Sequence, residues 1–297
     1  MTTGRHRERD NEAFDADTGQ KIGGKKMNKV LAEHNTLSTN ALKIWAIIAM
    51  ACDHIPYLSD TWSAQYYTMP WVLMHMFGRI TAPVFFYLLA LGYRRTRNPN
   101  RYTARLLAFA LISYLPYIWY FKSSPVNAQN FLELNVIFTM LAGLLLLRAI
   151  HEIRNTALKA VLIVLCLLLG YWCDYGLYGV ALILVCDIAR DSRRATVLGM
   201  GAVMMVYVTL RTQSFFTSDL SPFDYLPIIM YSPFAKYVIV LLLCQLIPLI
   251  LIARHRVWAP AYVSGAKREA RPGFLARWGF YIFYPAHITV LLLISLY

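Results

Sequence analysis

An ionisable pair lies within the first apolar stretch of the chain. Residues 41–58 are mostly apolar, yet Asp53 and His54 occur there side by side. A charged side chain at the centre of a membrane costs about 2.5–3.5 kcal/mol or more, so such residues are usually functional. Because an imidazole titrates near neutral pH, we predict that His54 is a general base. Neighbouring helical residues point about 100° apart, so Asp53 either orients His54 or neutralises a cation on another helix.

Two more ionisable residues lie inside apolar stretches at a similar depth. Arg79 belongs to the second stretch and His287 to the last. At a rise of about 1.5 Å per residue, both come near the depth of His54, and the sequence therefore predicts a contact between Asp53 and Arg79. We assign all four residues to a catalytic group. Asn135 of the fourth stretch is a further polar candidate for the site.

A dense basic cluster follows the second apolar stretch. Residues 94–105 contain five arginines. Guanidinium groups bind phosphate oxygens well, so we predict that Arg97, Arg101 and Arg105 bind the phosphates of a cofactor. Anionic lipid is a second ligand of the same chemistry. The alternative is that this charge only sets the orientation of the chain in a membrane.

The composition excludes an ordinary soluble domain. Of the 297 residues, 58% are hydrophobic and 15% are charged, whereas a typical globular chain has roughly 45–50% and 25%. The five cysteines lack the spacing of a metal site or a redox motif, so no metal is expected. The chain is predicted to be an all-α polytopic membrane protein, with membrane lipid around it and no nucleic-acid partner.

Nine stretches loosely meet the length of about 20 mostly apolar residues that a transmembrane helix needs. They are 41–58, 70–93, 103–121, 131–150, 157–173, 175–189, 195–212, 235–253 and 277–297. Residues 222–233 are apolar but short and contain prolines, which indicates an interfacial or re-entrant element.

The chain is predicted to have two parts. Residues 1–40 are polar, which predicts a disordered cytoplasmic tail, and residues 41–297 are predicted to form the membrane domain.

Basic residues are concentrated in alternate connections. The segments with seven, five, three, three and six Lys or Arg residues are 1–40, 94–105, 148–159, 190–194 and 254–277. Cytoplasmic loops of membrane proteins carry such an excess. We therefore predict about nine transmembrane helices, with the N-terminus inside and the C-terminus outside.

Six motifs, in this order, resemble those of the TraX family. They are Leu42-Lys43 with Met50-Ala51-Cys52-Asp53-His54; Phe77-Gly78-Arg79-Ile80 with Pro83; Gly92-Tyr93 with Thr96-Arg97-Asn98 and Arg101-Tyr102; Leu134-Asn135-Val136-Ile137-Phe138-Thr139; Asp174-Tyr175-Gly176-Leu177-Tyr178-Gly179; and Phe283-Tyr284-Pro285-Ala286-His287. The resemblance covers residues 38–297.

TraX-like proteins are associated with N-terminal acetylation of pilin, and they are grouped with integral-membrane acyltransferases that use cytoplasmic acetyl-CoA. The resemblance therefore implies a multi-pass acetyltransferase of the bacterial cytoplasmic membrane. Its co-substrate would be acetyl-CoA, and its acceptor an amine or hydroxyl of pilin or another envelope molecule. For such a transfer, Arg79, His287 or Asn135 would stabilise the oxyanion or hold the acyl carbonyl, and Asn135 is grouped with the cofactor-binding residues. Direct attack of the acceptor and a transient acyl-His54 are both chemically admissible.

Two other classes of protein fit the same residues. Intramembrane His, Asp and Arg also form the pathway of a proton-coupled transporter, although the chain lacks the internal repeat that many carriers have. A non-catalytic scaffold for envelope or pilus assembly would use these residues only to hold its helices together. Solute flux in vesicles would indicate the transporter.

Overall fold

The computed structural model describes residues 37–58, 69–122, 125–216, 233–255 and 274–296. Within them the fold is all-helical, as predicted. The helices are α1 (Thr39–His54), α2 (Met69–Gly78), α3 (Thr81–Arg95), α4 (Pro99–Lys122), α5 (Val136–Glu152), α6 (Thr156–Tyr171), α7 (Gly176–Ile188), α8 (Arg193–Phe216), α9 (Pro233–Ala253) and α10 (Phe274–Ser295). A short 3₁₀ turn, Ile55–Leu58, continues α1.

Polar side chains begin several of these helices. Ser38 Oγ accepts a hydrogen bond from the Ala41 amide at the start of α1 (3.1 Å). Asn155 does the same for Leu158 at the start of α6 (2.9 Å). Such caps satisfy amides that have no partner inside the helix, which fixes where each helix begins.

Four segments of the described residues are long and apolar enough to cross a membrane: Thr39–Leu58, Leu73–Arg95, Pro99–Lys122 and Trp278–Ser295. Shorter apolar helices are Thr156–Tyr171, Gly176–Ile188 and Leu243–Ala253. The chain is thus a helical membrane protein. The nine-span arrangement and its orientation stay predictions, and residues 1–36 of the predicted tail and the predicted element at 222–233 lie outside the described residues.

The segment Leu73–Arg95 lies in the middle of the bundle. In its most apolar window 72% of the residues are buried, against 28–33% in the other three spanning segments. It packs on α1, α5 and α7, with Phe86, Leu144 and Leu182 among the fully buried side chains. The segment is interrupted at Arg79 and Ile80, between α2 and α3. This break places Arg79 beside the end of α1.

The connections at one end of the bundle are tied together by backbone hydrogen bonds. Leu134, just before α5, donates to Trp172 (3.1 Å), and its carbonyl accepts from Asp174 (2.8 Å). The chain then turns into α7 at Gly176, whose φ of +53° favours glycine. These bonds hold the α6–α7 connection against the start of α5.

Candidate active site

A cavity of about 490 Å³ lies at the end of the bundle opposite the arginine cluster of residues 94–105. It is bounded by the last turn of α1, the α2–α3 break, the end of α4, the start of α5, the α6–α7 connection and the middle of α10. The volume is within the range of small-molecule binding sites. Of the predicted catalytic residues, Asp53, His54 and Arg79 line it directly.

Close contact between α1 and α2 fixes the position of Asp53. A Cβ atom added to Gly78 would lie 2.2 Å from Asp53 Cβ, far inside van der Waals contact. Only glycine therefore allows α2 to come this near to α1. The close approach directs the Asp53 carboxylate toward the neighbouring side chains of α2.

His75 connects Asp53 with Arg79. The Arg79 guanidinium lies 2.6 Å from His75 Nε2, and His75 Nδ1 lies 2.7 Å from Asp53 Oδ1. A guanidinium can only donate, so His75 Nε2 accepts and the ring proton is on Nδ1, facing the carboxylate. The sequence predicted a contact between Asp53 and Arg79, and the structure links the two through a neutral imidazole.

His54 and His287 are brought together from the two ends of the chain. His54 Nδ1 lies 2.7 Å from His287 Nε2, and the two rings are stacked with centroids 5.0 Å apart. Phe283 lies one turn earlier on α10, and its carbonyl oxygen is 2.8 Å from His287 Nδ1. Although Asp53 is adjacent in sequence, its carboxylate is 3.9 Å from His54 Nε2.

The Phe283 carbonyl determines where the protons of this pair lie. A carbonyl can only accept, so His287 carries its proton on Nδ1 and its Nε2 is an acceptor when the ring is neutral. His54 then donates from Nδ1. The remaining nitrogen, His54 Nε2, keeps its unshared electron pair. The arrangement therefore leaves a basic nitrogen at the cavity wall, with the Asp53 carboxylate nearby to stabilise a proton taken up there.

Packing restrains the His54 ring further. Phe121 contacts it edge to face, with centroids 4.9 Å apart, and the Tyr120 hydroxyl donates to the His54 carbonyl (2.8 Å). Phe283 is stacked on His287 at 4.6 Å. These contacts come from α4 and α10, so four helices fix the geometry of the two histidines and the neighbouring acid.

Asp174 forms another part of the cavity wall. It lies between α6 and α7, is exposed, and is among the residues that line the cavity. Enclosure by the protein raises the pKa of Asp174 to about 6, with Arg79 opposing the rise and Asp53 adding to it. The hydroxyl of Tyr117 donates a hydrogen bond to this carboxylate. At neutral pH Asp174 is therefore mostly ionised.

The predicted cofactor-binding residues do not line the cavity. Arg97 and Arg101 are exposed, and Arg101 is about 24 Å along α4 from Tyr117 at the cavity wall. Arg105 is half-buried, and its Cζ lies 5.0–5.5 Å from the centres of the rings of Tyr102, Trp278 and Tyr281.

Asn135 is fully buried and begins α5 as its N-terminal cap. Its side-chain nitrogen donates to the Ala110 carbonyl (3.0 Å), and its side-chain oxygen accepts from the Ile137 amide (3.0 Å). Cofactor contacts of Asn135 and of the three arginines stay predictions.

Sequence reasoning did not assign His75 and Asp174 to the site. His75 lies four residues before Arg79, and this spacing puts the two on one helix face. That spacing is a signal for their contact. Asp174 lies in one of the six motifs that resemble the TraX family, but its spacing does not predict a place at the cavity. The backbone pairing of Leu134 with Cys173 holds the α6–α7 connection there.

Comparison with known proteins gives one curated relative and a family. The relative is a probable fimbrial assembly protein, FimC of serogroup H1, from Dichelobacter nodosus. It is 28% identical over 257 residues, which cover 84% of this chain and 92% of the relative. No solved structure matches the chain significantly. The family model described as TraX protein matches residues 38–295, the whole helical bundle described above. The chain therefore belongs to the TraX family.

Proposed function

We propose that this protein transfers an acetyl group from acetyl-CoA to an acceptor amine or hydroxyl at the cavity. The observation that carries the proposal is the basic Nε2 of His54, which lies at the wall of a cavity large enough for a substrate. The TraX family suggests the amino terminus of a pilin subunit as the acceptor. The name of the fimbrial relative supports a place in pilus or fimbria assembly.

His54 acts as the base in this proposal. As the acceptor nitrogen or oxygen forms a bond to the acetyl carbon, His54 Nε2 takes its proton. The carbon–sulfur bond then breaks, and the sulfur of CoA leaves and takes up a proton from His54. Asp53 stabilises the imidazolium that exists between these two steps, and His287 keeps the ring oriented through His54 Nδ1. Arg79, which also lines the cavity, is the candidate for stabilising the acetyl oxyanion.

The donor enters from the basic end, which the positive-inside pattern predicts to be cytoplasmic. Arg97, Arg101 and Arg105 are proposed to bind its phosphates. The Cζ atom of Arg105 lies 5.0 Å from the centre of the Tyr281 ring, and the preceding residue, Phe280, lines the cavity. An extended donor with its phosphates near Arg105 would thus place its thioester near the cavity. The protein would then work across the cytoplasmic membrane of a bacterium.

A proton-coupled carrier is the second candidate. It is supported by the series of ionisable residues Arg79, His75, Asp53, His54 and His287, whose neighbouring members lie within 4 Å of one another. Ionisable residues inside a membrane often mark a proton pathway. A scaffold for fimbria assembly would use the same contacts only for packing. The three functions predict different measurements on the same purified protein.

The test uses the full chain in lipid nanodiscs, with acetyl-CoA and a pilin-derived peptide whose amino terminus is free. We expect acetylated peptide and CoA thiol to appear in equal amounts, measured by mass spectrometry and a thiol reagent. The same peptide with a blocked amino terminus is the control for an amine acceptor. A folded protein that neither releases CoA nor acetylates either peptide would refute the proposal, and proton-driven solute flux in vesicles would then favour the carrier.

A further inference from the structure

Asp174 is held rigidly with its carboxylate toward the cavity. Its amide donates to the Leu134 carbonyl (2.8 Å), and the next amide, of Tyr175, donates to Thr139 Oγ1 (3.4 Å). The positive φ of Gly176 then directs the chain into α7. Two hydrogen bonds thus fix this short connection, in which Asp174 is the acidic residue and lines the cavity.

The other acids near the cavity have cationic or imidazole partners within 4 Å. Asp53 Oδ1 is 2.7 Å from His75, and Glu133 forms an ion pair with Lys122. Asp174 has no such neighbour: within the described part of the chain, no Lys, Arg or His nitrogen comes within 4 Å of its oxygens. Its side-chain hydrogen bond is with Tyr117, a neutral donor. The carboxylate is therefore available to a ligand.

The charged residues that line the cavity differ in how they are paired. They are Asp53, Asp174, Arg79 and Lys122. Lys122 is paired with Glu133, and Asp53 contacts His75. Among the residues that the structure describes here, the Asp174 carboxylate is therefore the one left to attract a ligand with a positive charge.

Aromatic rings surround the same carboxylate. Tyr117, Tyr175 and Tyr284 line the cavity together with Asp174, and the Tyr117 hydroxyl donates a hydrogen bond to the Asp174 carboxylate. The faces of aromatic rings attract cations, by about 0.5–2 kcal/mol for each well-placed ring. A carboxylate among tyrosine rings is a binding site for an ammonium group rather than for a neutral hydroxyl.

We propose that Asp174, with the rings of Tyr117, Tyr175 and Tyr284, binds the ammonium form of the acceptor amine and holds it opposite His54. This inference rests on the proposed function for the identity of the ligand as acceptor. It concerns the binding step alone, and it makes Asp174 the residue that selects amines over alcohols.

Binding of a small ammonium compound tests the site without requiring catalysis. Alaninamide is the probe, because an α-amino group with a pKa of about 7.7–8.0 is mostly protonated at pH 7. N-acetylalaninamide is the neutral comparison. For the full-length wild type in detergent, calorimetry should give a Kd for alaninamide at least about tenfold lower than for N-acetylalaninamide. Equal binding of the two compounds by the wild type would overturn the proposal without any variant.

Asp174→Asn should weaken alaninamide binding by about 10- to 100-fold, because one charge-assisted contact is lost. Asp191→Asn is the matched control; it removes the same charge from a side chain that is 81% exposed and does not line the cavity. The control should bind like the wild type. Wild-type affinity of a folded Asp174→Asn protein would exclude Asp174 as the ammonium site.

Transfer assays separate this inference from the proposed function. If the wild type acetylates the pilin-derived peptide, Asp174→Asn should raise the KM for that peptide about 10- to 100-fold and leave the KM for acetyl-CoA unchanged. Transfer with an unaltered peptide KM would overturn the ammonium site and leave the acetyltransferase in place. Selective binding of alaninamide without any transfer would leave the ammonium site in place and refute the acetyltransferase.

Discussion

Arginine, aspartate and histidine side chains meet at both ends of the helix bundle, and they are connected differently. The basic-end triad consists of Arg94, Asp187 and His151, with Asp187 in the centre: Arg94 Nε is 3.2 Å from Oδ1 and His151 Nε2 is 2.6 Å from Oδ2. In the cavity series, Arg79–His75–Asp53–His54–His287, rings lie between the charged groups. In the triad, both other side chains contact the central acid, whereas the cavity series extends beyond its acid to the two histidines.

The two groups also differ in the open space beside them. Asp187 is 5% exposed, and the void beside Arg94 is about 10 Å³, which holds at most one water molecule. The cavity series borders about 490 Å³. In the basic-end triad, both carboxylate oxygens of Asp187 have partners, and the three side chains hold helices together. In the cavity series, a nitrogen of His54 borders the cavity, so the same three residue types are available for chemistry. This comparison predicts that changes in the series affect activity and that changes in the triad affect stability.

The largest expected effect is that of His54→Ala. Loss of the general base should lower the rate of acetyl transfer by about 10²–10⁴, and acetyl-CoA should still bind because its phosphates are proposed to lie at the basic end. The rate is measured as acetylated peptide per folded protein, and acetyl-CoA binding by calorimetry. Transfer by His54→Ala at close to the wild-type rate would remove His54 from the mechanism.

His151→Ala is the matched control for that variant. It removes the same side chain from the basic-end triad, about 16 Å along α5 from Met140 at the cavity wall. We expect its rate of transfer per folded protein to remain within about twofold of the wild type, because His151 does not line the cavity. A loss of activity as large as that of His54→Ala would show that the two ends are coupled, and the distinction between them would fail.

The sequence was sufficient to predict the helical membrane fold and part of the site. Apolar length alone located α1, α4 and α10, because a spanning helix needs a continuous apolar run. Ionisable residues inside such runs are costly, which singled out Asp53, His54, Arg79 and His287, and the structure brings all four to one region. These predictions rest on local sequence and on the rise of a helix.

The missing parts of the site depend on contacts between distant segments. The rise per residue gives the position of a residue along the helix axis, but not which neighbouring helix its side chain faces. It therefore could not place His75 between Asp53 and Arg79. Depth also could not show that Asn135 turns its amide to Ala110 and the start of α5. Asp174 reaches the cavity only because its connection pairs with Leu134, forty residues earlier in the chain.

Gly78→Ala tests the cavity series by moving Asp53 without removing an ionisable group. The new Cβ would lie 2.2 Å from Asp53 Cβ, so α1 and α2 must separate. Such overpacking costs about 1–3 kcal/mol and draws Asp53, which stabilises the His54 proton in the proposed mechanism, away from His75. We expect acetyl transfer to fall by about 10- to 100-fold, measured at saturating acetyl-CoA. Gly279→Ala is the control, because a Cβ there has nothing within 4 Å; a similar loss in that variant would remove the steric explanation.

Asp187→Ala tests the basic-end triad, where we expect the smallest effect on chemistry and a measurable loss of stability. The change leaves the cations of Arg94 and, when protonated, His151 without their acid. Breaking a buried ion pair costs about 3–5 kcal/mol, but Arg94 is 27% and His151 36% exposed, so water compensates in part and about 2 kcal/mol should remain. Denaturant unfolding in detergent measures this loss, with the exposed Asp191→Asn as the charge control. Transfer per folded molecule should stay at the wild-type value, because no group that lines the cavity has changed. A variant with normal stability and reduced transfer would reverse the assignment of the two ends, since the triad would then act on the reaction without holding the helices together.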